Sequence, residues 1–383
     1  MLHPISVGRR AIHVAILTAV ASVTGLLAVA LTGTVRADSD PRSDAHGHIL
    51  IADQFNNRVI EVDRNTHKIL WQFGDGGDHP GPHSVVGTND AERVGPYTLI
   101  SGTGTPPSNP PLPGCADSVN GCPDNRVFLV DHQGVIVWQY GQDGGVAGAG
   151  PNQLNTPVQA AFVSSFPSHP GFAVLIADQG NQRIIAVDLF TKKIFWQYGT
   201  TGIAGSGANE LSNPNSAEVL ENGHILIADE NNNRVLEVAA GGTIVHQFTA
   251  GGTVSGAAFA SRLRDGHTLI TDSNNNRIVE VDRYDQIVWQ YTTNTLFGSN
   301  TNPLPTRAVR LRTGNTLISD QFNNRVIEVS RDGRIVFQQG ALNVGGSGFD
   351  QLNGPYDAKV IGDFTGLTPP LGDHDGDHDG DHD

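Results

Sequence analysis

The sequence predicts an all-β fold, a six-bladed β-propeller of four-stranded blades, and three observations carry that expectation. One phrase recurs. Residues 47–74 read GHILIADQFNNRVIEVDRNTHKILWQFG, with further copies at 172–199, 223–248, 266–291 and 314–340, and a sixth, split by an insertion, between Tyr97 and Gly141. Each copy holds three short β-rich runs separated by Asn, Asp and Gly clusters, with no helical period. The array also opens on a bare triplet and ends on an unpartnered run, Pro355–Ile361, which can complete the first blade and close the circle. A repeat of this size cannot bury its own faces and must stack on its neighbours.

In the first copy the runs are His48–Ala52, Arg58–Asp63 and Lys68–Phe73. HILIA is apolar on both sides, as expected where both faces of a small sheet are covered. A fourth run precedes each triplet: PHSVV at 82, PVQAAFV at 157, PNSAEVL at 214, VSGAAFA at 254, PTRAVRL at 305 and PYDAKVI at 355. These are the expected innermost strands, lining a central channel. Segments such as GQDGGVAGAGPNQLNTP at 141 and GALNVGGSGFDQLNGP at 340 read as loops joining one blade to the next. They should share a face with the Asp-x-x-Asn-Asn-Arg turns, and loops on a rigid scaffold are where binding residues usually sit.

GxGxxQLxxP followed by LIADxxNNRVxEVD resembles the NHL-repeat propellers over nearly all of residues 47–361. The matching positions are Asp53, Asp178, Asp229, Asp272 and Asp320, with Arg58, Arg126, Arg183, Arg234, Arg277 and Arg325. Endings such as DRNTHKILWQFG are also similar to bacterial arylsulfotransferase-like and quinoprotein-type propeller repeats. Blade two departs from the pattern, with Gly102 in place of the Asp and a Pro- and Gly-rich insertion at 103–125. The resemblance implies the fold. It implies chemistry only through two precedents: amidating lyases with a His-ligated metal plus Tyr and Arg, and sulfotransferases with a nucleophilic His beside Arg and Asn.

The expected organisation is an export signal or membrane anchor at 1–37, a linker at 38–46, the propeller at 47–361 and an Asp/His-rich disordered tail at 362–383. The amino end carries Arg9 and Arg10, an uncharged stretch from Ala11 to Val35, and Val35-Arg36-Ala37 as a small-residue cleavage site. That stretch also passes the ~18 residues that span a bilayer, so cleavage and anchorage both stay open. Either way the propeller is expected outside the cytoplasm. Cys115 and Cys122, the only cysteines, lie in the insertion; a disulfide is the simplest pairing and a metal pair the alternative. The formal charge of −15, with no basic run in the repeats, argues against nucleic acid.

A residue present in every blade is expected to serve the scaffold, so the repeated Asp and Arg read as turn partners and the four tryptophans, Trp71, Trp138, Trp196 and Trp289, as inter-blade packing. Positions that differ between blades are the better candidates. His83, Arg307, Tyr356 and Asp357 are the expected acid–base or anion-orienting set at the channel mouth, with Gln159, Asn215, Ser216 and Thr306 as ligand-binding neighbours. Water-lined polar channels are the plain alternative. His374, His378 and His382 in the tail are candidate ligands for Zn²⁺, Ni²⁺ or Cu²⁺, against a merely solvated tail. A divalent metal, Ca or Zn, is the candidate cofactor. The favoured function is a monomeric module binding a small molecule, glycan or protein through the loop-rich face; a channel-centred lyase, hydrolase or sulfotransferase is the alternative.

Overall fold

The computed structural model describes residues 47–363. The expected signal or anchor at 1–37, the linker up to residue 46 and the tail histidines His374, His378 and His382 lie outside the described residues. Twenty-four strands form six four-stranded antiparallel sheets. Five sheets are consecutive in sequence; the first is built from both ends, with Pro355–Val360 pairing Ile49–Asp53. The chain is a six-bladed β-propeller closed by its last strand. Blade one holds 49–73 and 355–360; blades two to six hold 88–140, 157–198, 214–248, 257–292 and 307–339. No described helix is long and apolar enough to cross a membrane.

The second and third strands are apolar on both sides because blades stack against both, and ILIAD and RVIEV in blade one are buried throughout. Each innermost strand carries one alanine at the same place: Ala91, Ala160, Ala217, Ala260, Ala308 and Ala358 are all buried. A small residue there lets six strands converge on one axis without overpacking. The tryptophans tie blades together as expected. Trp71, Trp138, Trp196 and Trp289 donate their indole N–H to the carbonyls of His132, Leu189, Ala240 and Arg331, each in the next blade.

Every residue of the repeated turn has a structural task. In five blades the Asp binds the Arg Nε at 2.6 to 2.8 Å. The same Asp accepts a backbone N–H from the loop leading into its own blade: Asn353 to Asp53, Asn155 to Asp178, Ser212 to Asp229 and Ser255 to Asp272. The first Asn bridges the Asp to a loop carbonyl, as Asn56 does to Asp53 and Gly346. The second sits in the left-handed region, where its side-chain oxygen accepts an N–H from the following blade: Asn57 from Gly87, Asn233 from Gly256, Asn324 from Gly354. The signature is therefore a latch between successive blades.

Blade two keeps the latch by other means. Its second and third strands, Tyr97–Thr105 and Cys122–Val130, run nine residues each, so the insertion prolongs the strands into a projecting hairpin. Gly102 pairs Arg126 in the register that Asp53 and Arg58 occupy in blade one. Asp124 supplies the missing carboxylate, binding Arg126 Nε at 2.5 Å and accepting the Val86 N–H at 2.8 Å. A Cβ at Gly102 would lie 2.5 Å from the Asp124 carboxyl carbon, so the glycine makes room for the substitute. Cys115 and Cys122 form the expected disulfide at the hairpin base, packed on Val86. The disulfide is compatible with an extracellular protein.

Two expected inner strands are misplaced. PHSVV at 82 lies in a loop, and the blade-two inner strand is Thr88–Val94. In blade five the strand is Ala257–Arg262, three residues later than the expected VSGAAFA at 254, and Phe259 lines the channel.

Candidate functional site

The channel is lined by innermost strands whose axial edge has no partner strand, and an edge amide needs an acceptor. Side chains supply it across the blade boundaries. Asp357 accepts from Ala91 N–H, Asp90 from Ala160, Gln159 from Ala217 and Ser216 from Ala260. One layer further, Glu92 accepts from Phe162 and Glu218 from Arg262. Gln159 and Ser216, read from the sequence as ligand contacts, and Asp357, read as part of the acid–base set, are thus bound to the scaffold.

Two cations offset the acids. Arg307 Nε lies 2.5 Å from Asp357 Oδ1 while Nη2 binds Asp90. Lys359 Nζ is 2.8 Å from both aspartates and donates to the Ala91 carbonyl at 2.7 Å. The guanidinium stacks on Phe259, 4.0 Å from the ring centre. Burial works against the Asp357 carboxylate, but Arg307 and Lys359 outweigh it and hold its pKa below the usual range. At Asp90 burial prevails and the pKa rises. The two share the same cations and titrate as a pair, with Asp357 ionised first. Glu92 is pushed up to about 8 by burial, only partly opposed by Lys359.

Nearer the loop-rich face a second network crosses the channel. Tyr356 Oη of blade one is 3.1 Å from Asn215 Nδ2 of blade four, the opposite blade, and Asn215 also donates to Glu230 at 2.8 Å. Thr306 donates to the Tyr356 carbonyl at 2.6 Å, and Gln54 links Asn89 to Gln321. Burial and the Glu230 carboxylate raise the Tyr356 pKa, so the phenol stays protonated. Below this plug a cavity of about 30 Å³ lies among Glu92, Gln159, Glu218, Ser261, Arg307 and Lys359, room for one or two waters.

Of the expected catalytic set, the structure brings Arg307, Tyr356 and Asp357 to the channel with Gln159, Asn215, Ser216 and Thr306. His83 is not among them. It is exposed in the loop ahead of blade two, its Nδ1 3.2 Å from the Gly134 carbonyl, because the strand begins five residues later. The predicted pairing of His83 with Arg307 is therefore not formed. Asp90, Glu92, Glu218, Phe259 and Lys359 were missed. Aligning the inner strands on their shared alanine, instead of on proline, places Ala91 in register and brings Asp90 and Glu92 to the axis.

Asp265, His267 and Glu280 form one group whose ligand atoms lie within 4.8 Å of one another. Glu280 is already bound to Arg310 at 2.8 Å, to Arg331 and to His267 at 2.9 Å. Two guanidiniums on one carboxylate disfavour a dication there. The His–Glu pair recurs as His48–Glu61 and His224–Glu237, which marks it as scaffold.

Asp320 is the exceptional turn aspartate. Pro303 stands where the other loops offer an N–H, and its carbonyl still accepts from Phe322 as Asn353 does from Phe55. Asp320 Oδ1 is left without a partner, and burial raises its pKa to about 6. A folded-state pKa above the unfolded value gives a stabilisation that is full below pH ~4 and lost as pH rises through ~6. Pro303→Ala restores the donor and is expected to flatten that fall, by roughly 1–3 kcal/mol between pH 4 and 7 in urea midpoints. Equal slopes in the two proteins would show that the missing amide is not the cause.

No protein-family model matches the chain, and no curated protein does. Among solved structures it is similar to a protein of unknown function from Bacteroides caccae, at 14% identity over 76% of this chain and 92% of that one, with a TM-score of 0.48. Virginiamycin B lyase from Staphylococcus aureus follows at 12% identity, 79% and 87% coverage and a TM-score of 0.46. The WD40 β-propeller domain of Doa1 stands at 11%, 77%, 79% and 0.46. At such identities the likeness concerns the fold alone, and no residue role is carried over from it.

Proposed function

We propose that the chain is an extracytoplasmic binding module that engages a protein partner through its loop-rich face. The observation that carries this reading is the exposure of large apolar side chains at the loop tips. Phe297 is fully exposed and Phe349 73% exposed, with Leu296 and Val344 in the same two loops at 43% and 49%. Apolar side chains held out on a polar face are typical anchors for a partner surface. The channel offers the enzyme reading little support: its cations and acids are consumed by one another and by edge amides, and Tyr356 closes the mouth.

The test is capture from an extract of the source cells on the immobilised full chain. A partner retained by the wild type should also be retained by Tyr356→Phe and bind the Phe297→Ser, Phe349→Ser variant about tenfold or more weakly. Retention by the loop variant, or loss on Tyr356→Phe alone, overturns the reading.

A further inference from the structure

Three inter-blade loops repeat closely enough to be compared position by position: those starting at Gly141, Gly199 and Gly340. In each, one side chain caps the first glycine, whose N–H donates to Asn152, Asn209 or Asp350 at 3.3, 3.0 and 3.0 Å. The following residue closes the turn before it. Gly150 donates to Gln153, Gly207 to Glu210 and Gly348 to Gln351, at 3.1, 2.9 and 3.2 Å. Near the loop start, Gln139 donates to Asp143 where Gln197 donates to Thr201. At each position a neutral residue does the same structural work in a sister loop. The negative charges of Asp143, Glu210 and Asp350 are therefore surplus to the fold. Phe349 is surplus in the same sense, since its sister loops carry Pro151 and Ala208.

The loops as a set are one-sided in charge. Segments 74–87, 106–121, 141–156, 199–213, 249–256, 293–306 and 340–354 hold Asp75, Asp78, Asp117, Asp143, Glu210 and Asp350, and no lysine or arginine. His79 stands 2.6 Å from Asp78 and His67 3.3 Å from Asp350. Exposed cations such as Lys68, Lys193, Arg264 and Arg283 lie instead in turns within the blades. The apolar tips are gathered on the same face. A Cβ at Gly298 would meet Leu342 at 3.8 Å, so the loops bearing Phe297 and Phe349 adjoin, and Asp350 follows Phe349 directly.

We propose that the partner meets this face with a cationic amphipathic segment, its apolar side chains on Phe297 and Phe349 and its lysines or arginines towards Asp350, Glu210 and Asp143. This rests on the reading of the loop face as a protein-docking surface and names the chemistry of what docks. Apolar tips supply the anchor, while complementary charge steers the encounter and fixes the register. An amphipathic segment joins both kinds of side chain in one element. The same carboxylates repel an anionic membrane or a nucleic acid, so charge also selects among partners.

Fluorescence anisotropy on the full chain tests this, with a labelled amphipathic helix of leucine and lysine and the same helix carrying glutamate for lysine. The lysine probe should bind the wild type at least about tenfold more tightly than the glutamate probe. Asp143→Thr, Glu210→Gln and Asp350→Asn together offer the acceptors that the sister loops use, so the fold is kept. Binding of the lysine probe should weaken about fivefold or more. Removing three exposed charges elsewhere, by Glu221→Gln, Asp265→Asn and Asp332→Asn, should leave it within about twofold. Equal binding of the two probes, or equal weakening by the two triple variants, overturns the proposal. So does a loop triple variant that binds as the wild type does. In that event weaker binding by Phe297→Ser, Phe349→Ser leaves apolar docking standing alone, and unchanged binding removes both readings.

Discussion

Lys359→Met should cost about 3–5 kcal/mol, among the largest losses of any single channel substitution. Lys359 is 5% exposed and sits between Asp90 and Asp357 with a backbone carbonyl as its third acceptor. Without the ammonium, two buried carboxylates share the Arg307 guanidinium, and one negative charge has no partner. Asp90→Asn in the same chain should recover part of the loss, since charge balance returns although the amide accepts less strongly from Ala160. The sign with pH follows. Removing the cation raises the folded-state pKa of the pair, so the gap between variant and wild type should narrow as pH falls from 7 towards 4. Urea midpoints across that range measure it. A loss under ~1 kcal/mol, unchanged with pH, would mean that water rather than Lys359 solvates the aspartates.

The second large effect runs against the repeat. Gly102→Asp writes the consensus aspartate into blade two, and a consensus change would ordinarily be expected to stabilise. Here it should destabilise by about 3 kcal/mol or more, because the new Cβ meets the Asp124 carboxylate at 2.5 Å and places two carboxylates on one arginine. Combining it with Asp124→Gly should restore much of the stability, with the new side chain facing Arg126 as Asp53 faces Arg58. A double-mutant cycle by chemical denaturation should give a coupling of ~2 kcal/mol or more. Additive losses would show that Asp124 does not stand in for the missing residue.

The architecture was readable because it depends on what recurs. The triplet GHILIADQFNNRVIEV carries strands, turn and latch together, and the lone strand at Pro355 announces its own partner. Scaffold roles followed for the same reason: side chains repeated on the outer strands are spread around the ring, and Arg58 holds its own turn and the loop entering its blade while Trp71 and its counterparts bind the next blade. The channel was half readable, since it depends on register. Proline marks the inner strand in four blades but not in blades two and five, where Thr88 and Ala257 take its place. Counting from Pro82 put His83 on the axis and hid Asp90 and Glu92. Lys359 and Glu218 were overlooked because they lie one layer deeper than the residues next to the proline.

The closing strand has a further consequence. Because Pro355–Val360 runs antiparallel to Ile49–Asp53, the chain arrives and departs on the same side, with Ile361 N–H bound to the His48 carbonyl at 2.9 Å. The two described ends therefore lie on the face of the turns Leu263–His267 and Leu311–Asn315, and Phe297 and Phe349 stand on the other, so the surface proposed for a partner is free of both ends of the ring.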